Sequence, residues 1–394
     1  MDTRLSKLSR RWFLRGIGTA ALASSLSGCG QGKGGLQVRL LHGSIPSQIT
    51  GQFRQQVGPS PSLSFKPEPQ LKDLFSLLET WQKKSDNTSN FSNWLPDWLP
   101  IGQQPSHSPA NLVTLGDAWL EKAIRGKLLQ PLDGGRLARW QQLPERWQQL
   151  VRRNDRGELD ARGAIWGAPY RWGTMLIAYR RDKFKELGWT PSDWGDLWRE
   201  ELRERLSVID QPREIIGLTL KKLGYSYNTP DLQGIPELKA SLFSLAKQIK
   251  FYSSQYYLQP LVLGDTWLAV GWSGDILPLV TRNPQIAAVV PQSGTSLWTD
   301  LWVKPAGSGE DPISDRWIDF CWQAQVAKQI TLFADAASPV LLNLPAADIP
   351  QNIRDNPLLF VKPEIIAKSD FLLPLPPAIL QQYYDLWRQM RTVA

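Results

Sequence analysis

Short apolar runs alternate with amphipathic stretches along almost the whole chain, and this alternation predicts its elements. "LQVRLLHGS", from Leu36, reads as a first strand that ends at a polar turn. In "LKDLFSLLETWQ" the residues Leu71, Leu74, Phe75, Leu78 and Trp81 fall on one helical face. "ANLVTLGDAWL" reads as a strand, a turn at Asp117 and a helix start, where Asp117 suits either an N-cap or a ligand contact. "RLARWQQLPERWQQLVRRNDRG" reads as one basic, solvated, amphipathic surface helix. "AIWGAPYRWGTMLIAYRRDKF" is extended and rich in Gly and aromatics, the character of a segment crossing between lobes. "LSVIDQPREIIGLTLKKLGY" is a strand, a turn and a helix; "GDTWLAVGWSGD", "IAAVVPQSG" and "SLWTDLWVKP" are three further strands. "ISDRWIDFCWQAQVAKQITLF" reads as one helix, and "AILQQYYDLWRQM", after Pro376 and Pro377, as a closing helix opened by proline. Strands alternating with helices argue for an α/β architecture.

Two stretches break the pattern. Residues 85–110, "SDNTSNFSNWLPDWLPIGQQPSHSPA", are rich in Ser, Asn and Pro and are expected to form a loop, with Trp94 and Trp98 as a hydrophobic clip or a partner contact. The N-terminus, "SRRWFLRGIGTAALASSLSGCG", carries the paired Arg10 and Arg11 and then a mildly apolar run too short to span a membrane. "SRRWFL" is similar to a twin-arginine export signal and "LSGC" to a lipoprotein box. Residues 1–28 are thus expected to be a signal, Cys29 the lipidation site, and residues 29–35 a flexible tether.

Composition narrows the class. At 394 residues two packed lobes are expected, and 21% charged residues is too few for a disordered chain. The formal charge of +8 falls to about +4 once the five basic and one acidic residues of 1–28 are set aside, which is no nucleic-acid footprint. With Cys29 consumed, Cys321 stands alone as a small buried hydrophobe and no disulfide is expected. Two His, no CxxC, no phosphate loop and no dinucleotide fingerprint argue against a metal, a cofactor or an enzyme. Ser273 in "GWSGD" superficially echoes a hydrolase nucleophile, but only His42 is available as its base.

The chemistry that remains is acid beside aromatic. Trp272 and Asp275 form one pair, Trp298 and Asp300 another, each at a strand end. Glu214 sits at a strand-to-helix turn, the ligand edge of an open α/β sheet, and the crossing segment offers Tyr170 and Trp172. An organic ammonium gains about 0.5–2 kcal/mol on an indole face, and its N–H groups take carboxylates as their strongest acceptors.

"GAPYRWGTMLIAYRRDKF", "DQPREIIGLTLKKLGYSYNTPD", "GDTWLAVGWSGD", "SGTSLWTDLWVKPAGS" and "AQVAKQITLFADAASP" occur in the order and spacing of the periplasmic spermidine/putrescine-binding proteins of ABC importers, which the chain resembles from Leu36 onward. The resemblance implies a two-lobed periplasmic-binding-protein (type II) clamp with three inter-lobe crossings, near Arg171, Leu297 and Asn343. Lobe one is then 36–170 plus 299–342, with the insertion 85–110, and lobe two 173–296 plus 345–394. It implies a polyamine in the cleft, an ABC permease as partner, a monomer, and a membrane touched only through the lipid. Glu214, Asp275 and Asp300 match family carboxylates that hold ammonium groups, and Trp272 and Trp298 match aromatic walls. The first-lobe half departs from the family. "LLHGSIP" offers His42 and Ser44 in place of an aromatic motif, and Gln211 replaces an acid that favours spermidine. Ala336 stands where a Tyr is expected, and "GDAW" keeps Asp117 but shifts the aromatic to Trp119. A shorter diamine, another cation or another small solute is the alternative ligand, and a protein-binding lipoprotein the alternative role.

Overall fold

A computed structural model describes residues 35–92 and 109–392. The expectations for the signal, for Cys29, and for Trp94 and Trp98 lie outside the described residues.

One twisted mixed sheet runs through the molecule. At one end Leu63–Glu68, Leu36–Leu41 and Leu112–Gly116 pair in parallel. At the other, Leu268–Trp272, Leu206–Val208 and Ile249–Tyr252 do the same. Two long antiparallel strands lie between these sets: Ala168–Arg180, the long strand, and Ser296–Pro305, the return strand. Parallel sets need helical crossovers, and both faces of such a sheet end up covered; Leu112–Gly116 is accordingly buried at every position.

The apolar side chains sort into two cores. The first gathers Leu36, Val38, Leu112, Tyr170, Trp302 and Trp317. The second gathers Trp172, Ile177, Val208, Ile215, Val270 and Tyr383. On the long strand the change of core falls between Tyr170 and Trp172, and on the return strand between Leu297 and Leu301. A third strand of chain touches the same place, where Trp172 and Ala337 exchange backbone hydrogen bonds of 2.7 and 3.0 Å. Beyond Asn343 the chain does not move at once to the second core. Short turns after Pro345 and Pro350 return Ile349 and Ile353 to the first, and Leu358 and Val361 are the next residues against the second.

Three expected elements differ. The helix that starts at Leu71 continues to Ser92, into the stretch expected to be loop; Ser and Asn are weak helix formers, but no proline interrupts the sequence from Leu71 to Ser92. The basic "surface helix" is instead short pieces, since Pro144 ends one turn and opens Glu145–Val151. Its Arg153 is buried rather than solvated, donating to the carbonyls of Leu150 and Gly157 at 2.9 and 3.0 Å. The "ISDRW…" helix divides into Pro312–Cys321 and Ala324–Phe333. At the break the Trp322 indole donates to the Pro169 carbonyl at 2.6 Å, which turns the chain against the long strand.

Much of the tryptophan is structural. Trp147, Trp172, Trp194, Trp302, Trp317 and Trp322 are all essentially buried, each supplying a large apolar area. Cys321 is buried in the first core, as its helical context predicts.

Candidate functional site

The candidate residues come from five segments that meet where the cores change over. "GWSGD" shows how the sequence builds one corner. Leu268–Trp272 is a strand, and the next residue opens the helix Ser273–Arg282. Trp272 is therefore at the strand's end and Asp275 in the helix's first turn. A Cβ on Gly271 would collide with the Tyr257 ring, and that close approach lets the Tyr257 hydroxyl donate to Asp275 Oδ2 at 3.1 Å. Across the gap Gly173 has no room for a Cβ against Ser273 Oγ and the Trp298 ring, so the long strand, the helix and the indole close up on one another.

Glu214 lies in the first turn of Pro212–Lys222, placed there by Pro212. It is 6% exposed, which would be costly for an unpartnered carboxylate. Two donors meet it: Ser296 Oγ at 2.5 Å and Trp272 Nε1 at 3.3 Å. Burial raises its pKa, and these two hydrogen bonds oppose the rise. Asp275 is exposed to solvent in the helix's first turn, yet protein crowds it enough to raise its pKa, against the pull of the Tyr257 hydroxyl and Arg171.

Asp300 is 1% exposed on the return strand and directly opposite Arg171 on the long strand. Arg171 Nε donates to Asp300 Oδ2 at 2.6 Å, and another guanidinium nitrogen donates to the Ala334 carbonyl at 3.3 Å. The same guanidinium lies over the Trp298 ring, 5.6 Å from its centre. Burial raises the Asp300 carboxyl and Arg171 opposes it. Burial works against the Arg171 charge, but Asp300 and the Tyr170 hydroxyl together outweigh it and hold the guanidinium above its ordinary value. A guanidinium does not deprotonate in a protein, so the two form an ion pair.

Asp117 caps no helix. It is the first residue of a tight turn, Asp117–Trp119, and its Oδ1 accepts the Thr299 backbone N–H at 3.0 Å, tying the first-core strand to the return strand. Burial lifts its pKa to about 7; the Thr299 bond and Arg153 pull down, and the nearby Asp300 and Glu214 push up.

The other candidates divide. Trp272 and Trp298 are partly exposed beside these acids, and the Trp298 indole N–H has no hydrogen-bond partner. Trp172 is buried and packs edge-on against Trp147, 5.2 Å between ring centres, so it is core rather than an open wall. Ser44 is fully buried, with its hydroxyl beside that of Tyr170. Gln211 is exposed and donates to Ser254 at 3.4 Å. Trp119 stacks on Phe75, 4.6 Å between centres, and is engaged in the first lobe's own packing. Ser273 is buried and accepts the Thr174 backbone N–H at 3.1 Å, whereas His42 is exposed, so they do not form a nucleophile and base.

The residues missed from sequence are partners of the acids. Tyr257, Ser296 and Thr299 carry no local motif. Arg171 has one signal, a cation inside the otherwise apolar "APYRWGTMLIA". Asp335, on the segment that meets Trp172, was also missed; it has a left-handed φ of 48° and is half-buried. Burial raises its pKa, against the opposing charges of Arg282 and Arg171.

Acid therefore exceeds base at the changeover. Asp117, Glu214, Asp275 and Asp300 face three cations: Arg171 acts on Asp275 and Asp300, Arg153 on Asp117 and Arg213 on Glu214. A surface cavity of about 650 Å³ lies elsewhere, lined by residues that include Arg139, Gln142, Gln323 and Asn343. Among the described residues no cluster of His, Cys, Asp and Glu suits a metal ion, and no helix is long and apolar enough to cross a membrane.

Residues 108–369 match the family model described as bacterial extracellular solute-binding protein. A putrescine/cadaverine-binding protein of Pseudomonas aeruginosa is 28% identical over 214 residues, covering 52% of this chain and 56% of the relative. The putrescine-binding periplasmic protein PotF of Escherichia coli is 25% identical over 299 residues, covering 72% and 78%. Among solved structures, the spermidine/putrescine transporter substrate-binding protein PotD of Streptococcus pneumoniae superposes with a TM-score of 0.74 at 18% identity, over 91% of this chain and 99% of that one. The two-lobed clamp expected from the sequence is thus the fold of the solved neighbours as well.

Proposed function

The chain belongs to the bacterial extracellular solute-binding protein family, and from that premise we propose that it is the substrate-binding component of an ABC importer, holding a polyamine-like organic cation between its lobes. The family is one of solute-binding transport proteins rather than enzymes. The observation that carries the ligand class is the surplus of acid at the changeover: Glu214 at the Trp272 indole nitrogen, and Asp275 in the helix that follows Trp272, have only hydroxyl, indole and distant cationic partners. An ammonium there gains the Trp272 indole and two carboxylates, and its methylenes have the rest of that indole to pack on. Micromolar binding needs about 8 kcal/mol, within reach of one such ammonium and a buried alkyl chain. The relatives named for putrescine, cadaverine and spermidine support the same class.

In this reading the chain leaves the cytoplasm by its twin-arginine signal and is held at a membrane by lipid on Cys29, works as a monomer, and passes its cargo to a permease. Mass spectrometry of the membrane fraction tests the anchor: an acylated N-terminal Cys29 is expected, and an unmodified chain beginning elsewhere refutes it. Titration calorimetry with putrescine, spermidine and n-butylamine tests the ligand class. Saturable heat from at least one amine is expected; silence from all three at millimolar concentration ends the amine reading.

A further inference from the structure

We infer that Arg171 is a built-in counter-ion that takes the place of one ligand ammonium, so that the site reads a single ammonium end and gains nothing from a second. The inference rests on the amine reading above and narrows it.

Several contacts fix the guanidinium. Its Nε is 2.6 Å from Asp300 Oδ2, a second nitrogen is 3.3 Å from the Ala334 carbonyl, its central carbon lies 5.6 Å from the centre of the Trp298 ring, and the Tyr170 hydroxyl adds a polar partner. A carboxylate and an indole face are the two features that an ammonium seeks, and at this end both are already occupied by a cation of the chain. Arg171 and Asp300 are 7% and 1% exposed, so the pair is shielded from the water and salt that weaken surface ion pairs. An incoming ammonium has to share one carboxylate with a fixed positive charge, or displace it and leave that charge buried without a partner; like-charge proximity and an unpaired buried ion are both strongly unfavourable. Glu214 and Asp275 have no internal cation hydrogen-bonded to them: their direct partners are the Ser296, Trp272 and Tyr257 side chains, and Arg213 and Arg171 act on them only at longer range. The site is therefore polar in its demand: acid free to accept at the Glu214–Asp275 end, acid already neutralised at the Asp300 end. A specificity device of this kind works by penalising the wrong ligand rather than by adding a contact to the right one.

The test compares n-butylamine with putrescine, which differ by the second ammonium, in calorimetric titrations of the wild type and of Arg171→Met. In the wild type the two dissociation constants should agree within about threefold. In Arg171→Met, where Asp300 is released, putrescine should bind at least about tenfold more tightly than n-butylamine. A wild type that already prefers putrescine by about tenfold overturns the inference while leaving the amine reading intact. So does an Arg171→Met protein in which the two amines remain equal. The wild-type comparison decides on its own if the variant does not fold. Silence from both amines with a folded wild type removes the amine reading, and this inference with it.

Discussion

Ser296 Oγ donates to Glu214 Oε2 at 2.5 Å, while Trp272 Nε1 donates to the other carboxylate oxygen at 3.3 Å. The acid is thus oriented by a strand on one side and by an indole on the other. Glu214→Gln keeps the shape and removes the charge. Amine affinity, read by calorimetry, should fall by at least about tenfold, since a charge-assisted hydrogen bond is lost. The melting temperature at neutral pH should hold or rise, because the variant no longer buries a charge whose pKa is already raised.

Asp117 makes the molecule sensitive to pH. Its folded pKa is about 7 against an ordinary 3.8, so its contribution to stability is fully present below about 4, declines as pH rises toward 7, and is absent above that. Wild-type stability from urea melts should show this downward trend across the interval, and Asp117→Asn should flatten it. Ionisation also adds a negative charge near Asp300 and Glu214, so the wild type should bind an amine more tightly at pH 8 than at pH 6, with Asp117→Asn losing much of that difference.

Gly173→Ala places a methyl against Ser273 Oγ and the Trp298 ring. Overpacking of this kind costs about 1–3 kcal/mol, measurable as a lower urea midpoint at unchanged slope. Trp298 is displaced with it, so amine affinity falls as well.

Asp300→Ala leaves the buried Arg171 guanidinium without its carboxylate, with the Ala334 carbonyl, the Trp298 ring and the Tyr170 hydroxyl around it. Removing one member of a buried pair costs about 3–5 kcal/mol. Chemical denaturation should show a loss of that order, and the double variant Arg171→Met/Asp300→Ala should recover part of it.

What was legible in the sequence were features with a local period or motif. The apolar runs marked the strands, and "GWSGD" marked a strand's end with an acid and an indole side by side. Glu214, Asp275, Asp300, Trp272 and Trp298 do converge. What was not legible is what each acid touches. Ser296 is 82 residues from Glu214 and Arg171 is 129 from Asp300, so no window of sequence contains either pair. Tyr257 reaches Asp275 only because Gly271 leaves it room. Trp172 has the look of an exposed aromatic in "YRWG", but burial is decided by Trp147, which packs on it from a separate segment. The broken helices at Pro144 and Trp322 were misread for a related reason: amphipathic period continues across both breaks, and only the tertiary partners show that the axis turns.

The reciprocal bonds between Trp172 and Ala337 have a mechanical consequence. The long strand is stitched on one edge to the return strand and on the other to Ala337 at the very residue where the cores change over. Sliding one half of the molecule past the other would break both seams at once, whereas flexing about that line breaks neither. Those seams therefore oppose a slide of the two cores more strongly than a bend along the Trp172 crease.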